Sequence, residues 1–143
     1  MDESKPGKEE DMLYNRYAVY DESAEVIFLA VGTPEGPNWE ADLTGVLDAA
    51  GNIGKYMNGY KVIVTKSTVP VGTGARIKSA IQRQLDARGA NLDFDIASNP
   101  EFLREGRALE DFVNPDRIVI GTENKRAEEI LKKVYQVWID KGV

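Results

Sequence analysis

The sequence predicts an α/β fold of three layers, a mostly parallel sheet with flanking helices. Three observations predict it. Apolar runs of strand length alternate with stretches whose apolar residues recur at helical spacing. The first run, Val26-Ile27-Phe28-Leu29-Ala30-Val31, is apolar at every position, as in a strand buried on both faces. Each of the first three runs ends in a turn rich in Gly, Pro and small polar residues. Strands joined through helices close right-handed crossovers and lie parallel.

The elements follow in order. Met1 to Glu10 is polar and charged with no apolar period, so residues 1–23 are expected to form a partly disordered arm. Within it, Leu13, Tyr14, Tyr17, Val19 and Tyr20 fit either a short strand or an adherent segment. The folded domain is expected over residues 24–143. Val26–Val31 is its first strand, stopped by Gly32-Thr33-Pro34. Leu43, Val46, Leu47 and Ala50 give a helical stripe, with 51–59 as its loosened end. Lys61–Thr65 is the second strand. Ile77, Ala80, Ile81, Gln84 and Leu85 mark the second helix, with Thr73 as its N-cap and Gly72 easing the turn. Leu92, Phe94, Ile96 and Ala97 form a third strand, and Ile118-Val119-Ile120 a fourth, closed by Gly121. Residues 98–114 are irregular. Ala127, Ile130, Leu131, Val134 and Trp138 define the last helix, with Asn124 at its N-cap and Trp138 in the core.

Composition narrows the chemistry. The 143 residues carry 18 basic and 24 acidic side chains, a formal net charge of −6, which is a poor match to nucleic acid. No apolar run reaches the length of a membrane span, and no leader pattern opens the chain, so a cytoplasmic protein is expected. The chain has no Cys and no His. Disulfides, thiolate nucleophiles, Cys/His zinc sites and His-based triads are therefore impossible within it, and no metal site is expected.

In an open parallel sheet, ligands bind beyond the carboxyl ends of the strands. The turns there are Gly32-Thr33-Pro34, Ser67 to Thr73, and Ser98 to Leu103. Any one of them is also ordinary turn chemistry. Gly72-Thr73-Gly74 has the place of a dinucleotide fingerprint, but Ile77 stands where its third glycine belongs, and Val69-Pro70-Val71 would crowd a pyrophosphate. Glu101, beside Phe102 and Leu103, is a general acid or base if lodged among apolar groups, and a capping acid if exposed. On a helical turn Glu105 would share its face, with Arg104 and Arg107 to neutralise the pair. Lys66 is either anion-facing or solvated. Arg117 stands before a strand, the wrong end for a ligand, and fits an ion pair with Asp116, Asp111 or Glu110. Trp39 is a candidate contact in a loop.

Taken together the turns are more specific. Ala30-Val31-Gly32-Thr33-Pro34, then Lys66 to Thr73, then Ser98 to Gly106, then Asn114 to Gly121, occur in that order. This resembles the UDP-glucose/GDP-mannose dehydrogenase family over about residues 24–140, and the Lys66-Ser67-Thr68 turn is nearest to its UDP-glucose branch. The resemblance implies a partial NAD-binding, Rossmann-like domain. It also implies NAD-dependent oxidation of UDP-glucose to UDP-glucuronate, through an enzyme-bound thiohemiacetal and thioester.

On that resemblance, Val31, Gly32, Thr33 and Pro34 would line the cofactor cleft, joined by Ser67, Thr68 and Val69. Thr68 would help hold the reacting water and Glu101 would be its general base. Phe102, Leu103 and Arg104 would lie over the nucleotide sugar, with Glu101 also in contact, and Glu105 near the nicotinamide. The motif leaves open which of Glu101 and Glu105 moves the proton. The family's opening Gly-X-Gly-X-X-Gly segment and its cysteine nucleophile have no counterpart in these residues. The chain alone is therefore expected to be inactive, with NAD binding weak or absent. A non-catalytic binding or interaction module of the same descent is the alternative. The edge of the Val26–Val31 strand is expected to be covered by residues 13–20 or by a second copy in a homo-oligomer.

Overall fold

A computed structural model gives the fold over residues 23–36 and 39–143. The arm expected over residues 1–23 lies outside the described residues, apart from Ser23.

The elements are β1 (Val26–Leu29), α1 (Thr44–Tyr56), β2 (Lys61–Thr65), α2 (Thr73–Ala87), β3 (Phe94–Ser98), α3 (Ala108–Val113), β4 (Gly121–Thr122), α4 (Lys125–Val134) and α5 (Gln136–Ile139). The sheet order is β1-β2-β3-β4. β1, β2 and β3 are parallel, with Val26 opposite Val62 and Ile63 opposite Ile96. β4 pairs antiparallel with β3, Ala97 opposite Thr122.

Side-chain alternation on β2 divides the core. Ile63 faces one way with Ile27 and Leu29, against Val46, Ala50 and Ile53 of α1 and Ile77, Ile81 and Leu85 of α2. Val62 and Val64 face the other way with Ala97, against Ala127 and Leu131 of α4. The arrangement is thus helix, sheet, helix, as expected for the class. Each fully buried Ile or Leu stabilises by about 1.5–3 kcal/mol.

The boundaries differ from expectation in instructive places. β1 ends at Leu29, because Ala30 already turns out to solvent. α1 runs to Tyr56 through Gly51 and Gly54, since Ile53, Gly54 and Met57 are buried and packing overrides the low helix propensity of glycine. A Cβ on Gly54 would stand 2.5 Å from the Ile81 carbonyl oxygen, so glycine lets α1 and α2 meet backbone to backbone. Gly72, at φ 90°, is the N-cap of α2, and Thr73 is its first residue, donating its hydroxyl to the Pro70 carbonyl at 2.7 Å. Asn124 caps α4 as expected, accepting from the Arg126 amide at 2.8 Å. The last helical stripe breaks at Tyr135 into α4 and α5, and Trp138 is half-buried rather than core.

The fourth strand is Gly121–Thr122, not 118–120. Val119 is 40% exposed and its carbonyl is taken by the Asn99 side chain. The six-residue α3 buries nothing on the sheet, so no helical layer carries the chain through a parallel crossover, and it returns antiparallel.

Candidate functional site

Beyond the carboxyl ends of the strands, three turns are tied into one rim. The Lys66 amide donates to the Leu29 carbonyl and the Asn99 amide to the Thr65 carbonyl, each at 2.9 Å, extending the ladder past the strands. Ser67 Oγ donates to the Val31 carbonyl at 2.5 Å, and Thr33 Oγ1 to the Thr68 carbonyl at 3.3 Å. Val31, Gly32, Thr33, Lys66, Ser67, Thr68 and Glu101 thereby wall a single open cleft of about 340 Å³.

The other expected site residues are distributed around that cleft. Pro34 lies with Val31 and Gly32 in the neighbouring groove against α1. Val69 lies in a groove at the start of α2, beside Ser98 and Gly121. Phe102, Leu103 and Arg104 line a second cavity of about 250 Å³, which shares Lys66 and Glu101 with the cleft. Glu105 lines neither space. Residues 101–104 are not helical, so Glu101 and Glu105 do not share a helix face, and Glu101 is exposed rather than lodged among apolar groups.

The second cavity has its own architecture. Arg104 pairs with Asp111, not with a glutamate: Nε donates to Oδ2 at 3.0 Å and the backbone amide donates to the same oxygen at 2.8 Å. That pairing holds the Asp111 carboxyl down at about 2. Arg107 pairs with Glu110 at 2.7 Å. Both partners expected for Arg117 among the neighbouring acids of α3 are thus taken. Its guanidinium instead sits 4.8 Å from the centre of the Phe102 ring and faces the cavity. Because the segment before β4 runs antiparallel to β3, Arg117 comes back to the ligand end of the sheet. Trp138 forms a wall, donating Nε1 to the Val113 carbonyl at 3.1 Å and meeting Phe112 edge-on.

Asn99 is a residue of the third turn to which the sequence alone assigns no role. It is 2% exposed. Its Oδ1 accepts from Lys66 Nζ at 3.0 Å and from the Tyr135 hydroxyl, and its Nδ2 donates to the Val119 carbonyl at 2.8 Å. Burial pushes the Lys66 amine below the ordinary lysine value, against the pull of the Glu101 charge. Burial also raises the Tyr135 phenol. The only signal for this network in the sequence was a polar side chain set between an apolar strand and a proline.

No group of three or more potential metal ligands occurs among the described residues, and none of their helices is long and apolar enough to cross a membrane. The space over Gly32 is open: a Cβ built there would meet nothing within 4 Å. Small residues, tied backbone and open space at strand ends suit close approach of a flat ligand.

A parallel sheet with such a rim is the architecture of a Rossmann-type dinucleotide-binding domain. Residues 12–139 match the family model described as "UDP-glucose/GDP-mannose dehydrogenase family, NAD binding domain". The chain belongs to that family, whose coenzyme is NAD. It is 49% identical to the UDP-glucose 6-dehydrogenase TuaD of Bacillus subtilis over 114 residues, which are 80% of this chain and 24% of that protein. It is 46% identical to a UDP-glucose 6-dehydrogenase of Pseudomonas aeruginosa, over 78% of this chain and 25% of that protein. The structure of a UDP-glucose dehydrogenase from Pyrobaculum islandicum superposes with a TM-score of 0.74 at 43% identity, covering 80% of this chain and 27% of that one. A ternary complex of GDP-mannose dehydrogenase from Pseudomonas aeruginosa superposes with a TM-score of 0.67 at 30% identity. The chain spans about a quarter of the length of the curated relatives it matches.

Proposed function

We propose that these residues form the coenzyme-facing and sugar-facing rim of an NAD-dependent UDP-glucose 6-dehydrogenase. The observation that carries this is the convergence of Gly32-Thr33, Ser67-Thr68 and Glu101 on one cleft. When bound, NAD would supply the hydride acceptor for oxidation of the sugar. Val31, Gly32 and Thr33 of one turn and Ser67 and Thr68 of the other would hold the coenzyme, with Pro34 and Val69 lining the adjoining grooves. Thr68 orients the water that attacks the thioester carbonyl and Glu101 takes its proton, while the C–S bond breaks and the sulfur leaves as the thiolate. Phe102, Leu103 and Arg104 cover the nucleotide sugar from the adjoining cavity. Between the two glutamates, proton transfer goes to Glu101: its exposure gives it no apolar lodging, and the assignment rests on its place at the border of both spaces, where Glu105 lines neither.

The 143 residues hold no Cys, so the thiol of that chemistry has to come from elsewhere and this polypeptide by itself is expected to turn over no substrate. A cytoplasmic setting goes with this pair of ligands. The sheet edge at β1 is where a second copy would add: among the described residues β1 pairs only with β2.

Amide chemical shifts of the chain titrated with NAD test the assignment. Weak binding should move the amides of residues 31–33 and 66–69 first. Gly32→Val, which fills the open space without a backbone clash, should abolish those shifts at unchanged thermal stability. Shifts confined to α4 or α5, or unaltered by Gly32→Val, would remove the cleft from the coenzyme.

A further inference from the structure

Asn99 bonds through its backbone amide and through both ends of its carboxamide. Its amide continues the β2 ladder, its Nδ2 holds the Val119 carbonyl, and its Oδ1 receives Lys66 and Tyr135. It therefore joins the end of β2, the segment before β4 and the junction of α4 with α5. Lys66 borders both the cleft and the Phe102 cavity. The charged and titratable groups around it are Glu101, Arg104, Asp111, Asp116, Arg117 and Tyr135. Among the described residues none of the carboxylates lies within ion-pair distance of its ammonium, and Asp111 is already committed to Arg104. Lys66 thus rests on a neutral acceptor where a carboxylate would have bonded and cancelled it.

We propose that Asn99 is a positioning residue that pins the Lys66 ammonium at the boundary of the two cavities, with its charge left over for an anionic oxygen of the bound sugar. This rests on the assignment of the two spaces to coenzyme and nucleotide sugar. An amide suits the task better than a carboxylate of the same shape. It accepts from both donors, serves the Val119 carbonyl with its own N–H, and adds no charge. Tyr135 fills the second lone pair of Oδ1 and so fixes which way the carboxamide faces.

The experiment is the pH profile of Lys66 acetylation by a small activated ester, followed residue by residue by mass spectrometry. In the wild type the midpoint should lie below that of a lysine in a short peptide. Asn99→Asp, nearly the same shape, puts a carboxylate on the ammonium. The midpoint should rise and labelling at fixed pH should slow several-fold, with exposed Lys78 and Lys125 unchanged. Asn99→Ala should release the side chain and bring the profile toward the peptide's. UDP-glucuronate, added as the anionic probe, should slow labelling of Lys66 in the wild type and not in Asn99→Asp. A wild-type midpoint equal to the peptide's, or an Asn99→Asp profile matching the wild type's, overturns the positioning role. Both are read without ligand, so they stand apart from the coenzyme assignment. Equal labelling with and without UDP-glucuronate overturns the ligand contact alone.

Discussion

Ser67 and Val31 are joined by a 2.5 Å hydrogen bond from hydroxyl to carbonyl, across the ends of two neighbouring parallel strands. The bond is side chain to backbone, so it survives or fails on one oxygen atom, and with Thr33 on Thr68 it keeps the first two turns in step.

Ser67→Ala should therefore cost about 1 kcal/mol, the usual loss for a partly buried hydrogen bond whose acceptor is left without its donor. Chemical denaturation measures it. Hydrogen exchange should quicken at residues 31–33 and stay unchanged in α2.

Two glycines in one helix should respond in opposite directions. Gly54→Ala drives a methyl into the Ile81 backbone and should destabilise by about 1–3 kcal/mol. Gly51→Ala meets no atom within 4 Å and should stabilise by about 0.5–1 kcal/mol through helix propensity. Thermal unfolding of the two variants side by side would settle whether α1 and α2 touch through backbone.

The Asp111 carboxyl is lowered from 3.8 to about 2 in the folded chain. Its ionised form is the one favoured by folding. The resulting stability is complete above the unfolded value and is lost as pH falls through the folded one. Denaturation midpoints between about pH 5 and pH 2 should fall less steeply in Asp111→Asn than in the wild type. Equal slopes would mean that Arg104 does not hold Asp111 in solution.

In the parallel ladder, Glu25 and Leu29 present their carbonyls to β2, so Val26 and Phe28 present their amides to the open edge. If a second copy adds there, those two amides should be protected from exchange at high concentration and lose protection on dilution, while Ile27 and Leu29 stay protected throughout. Protection that ignores dilution would identify a segment of the same chain as the partner.

Much of the fold was legible because its signals are local. The unbroken apolar run at Val26, the apolar centre of β2 and the Asn124 cap each act within a few residues. What escaped notice depends on distant partners. Nothing near Gly54 announces Ile81, and nothing near Val119 announces that Asn99 will take its carbonyl and deny 118–120 a place in the sheet. The candidate rim was legible for the same local reason, through Gly32-Thr33 and Ser67-Thr68. Arg117 stands at the ligand end of the sheet because of the antiparallel return of β4, which no short window of sequence contains, and Glu101 and Glu105 share no helix face because 101–104 is a loop.

The two coats of the sheet are unequal. α1 and α2 lock Ile27, Leu29 and Ile63 under a thick layer, whereas α4 reaches the opposite side mainly through Ala127 and Leu131. Thermal agitation should therefore peel the sparser coat first, undoing Tyr135 and with it the anchorage of Asn99, while the thicker half stays intact. The rim would then loosen from the Lys66 side long before the molecule as a whole came apart.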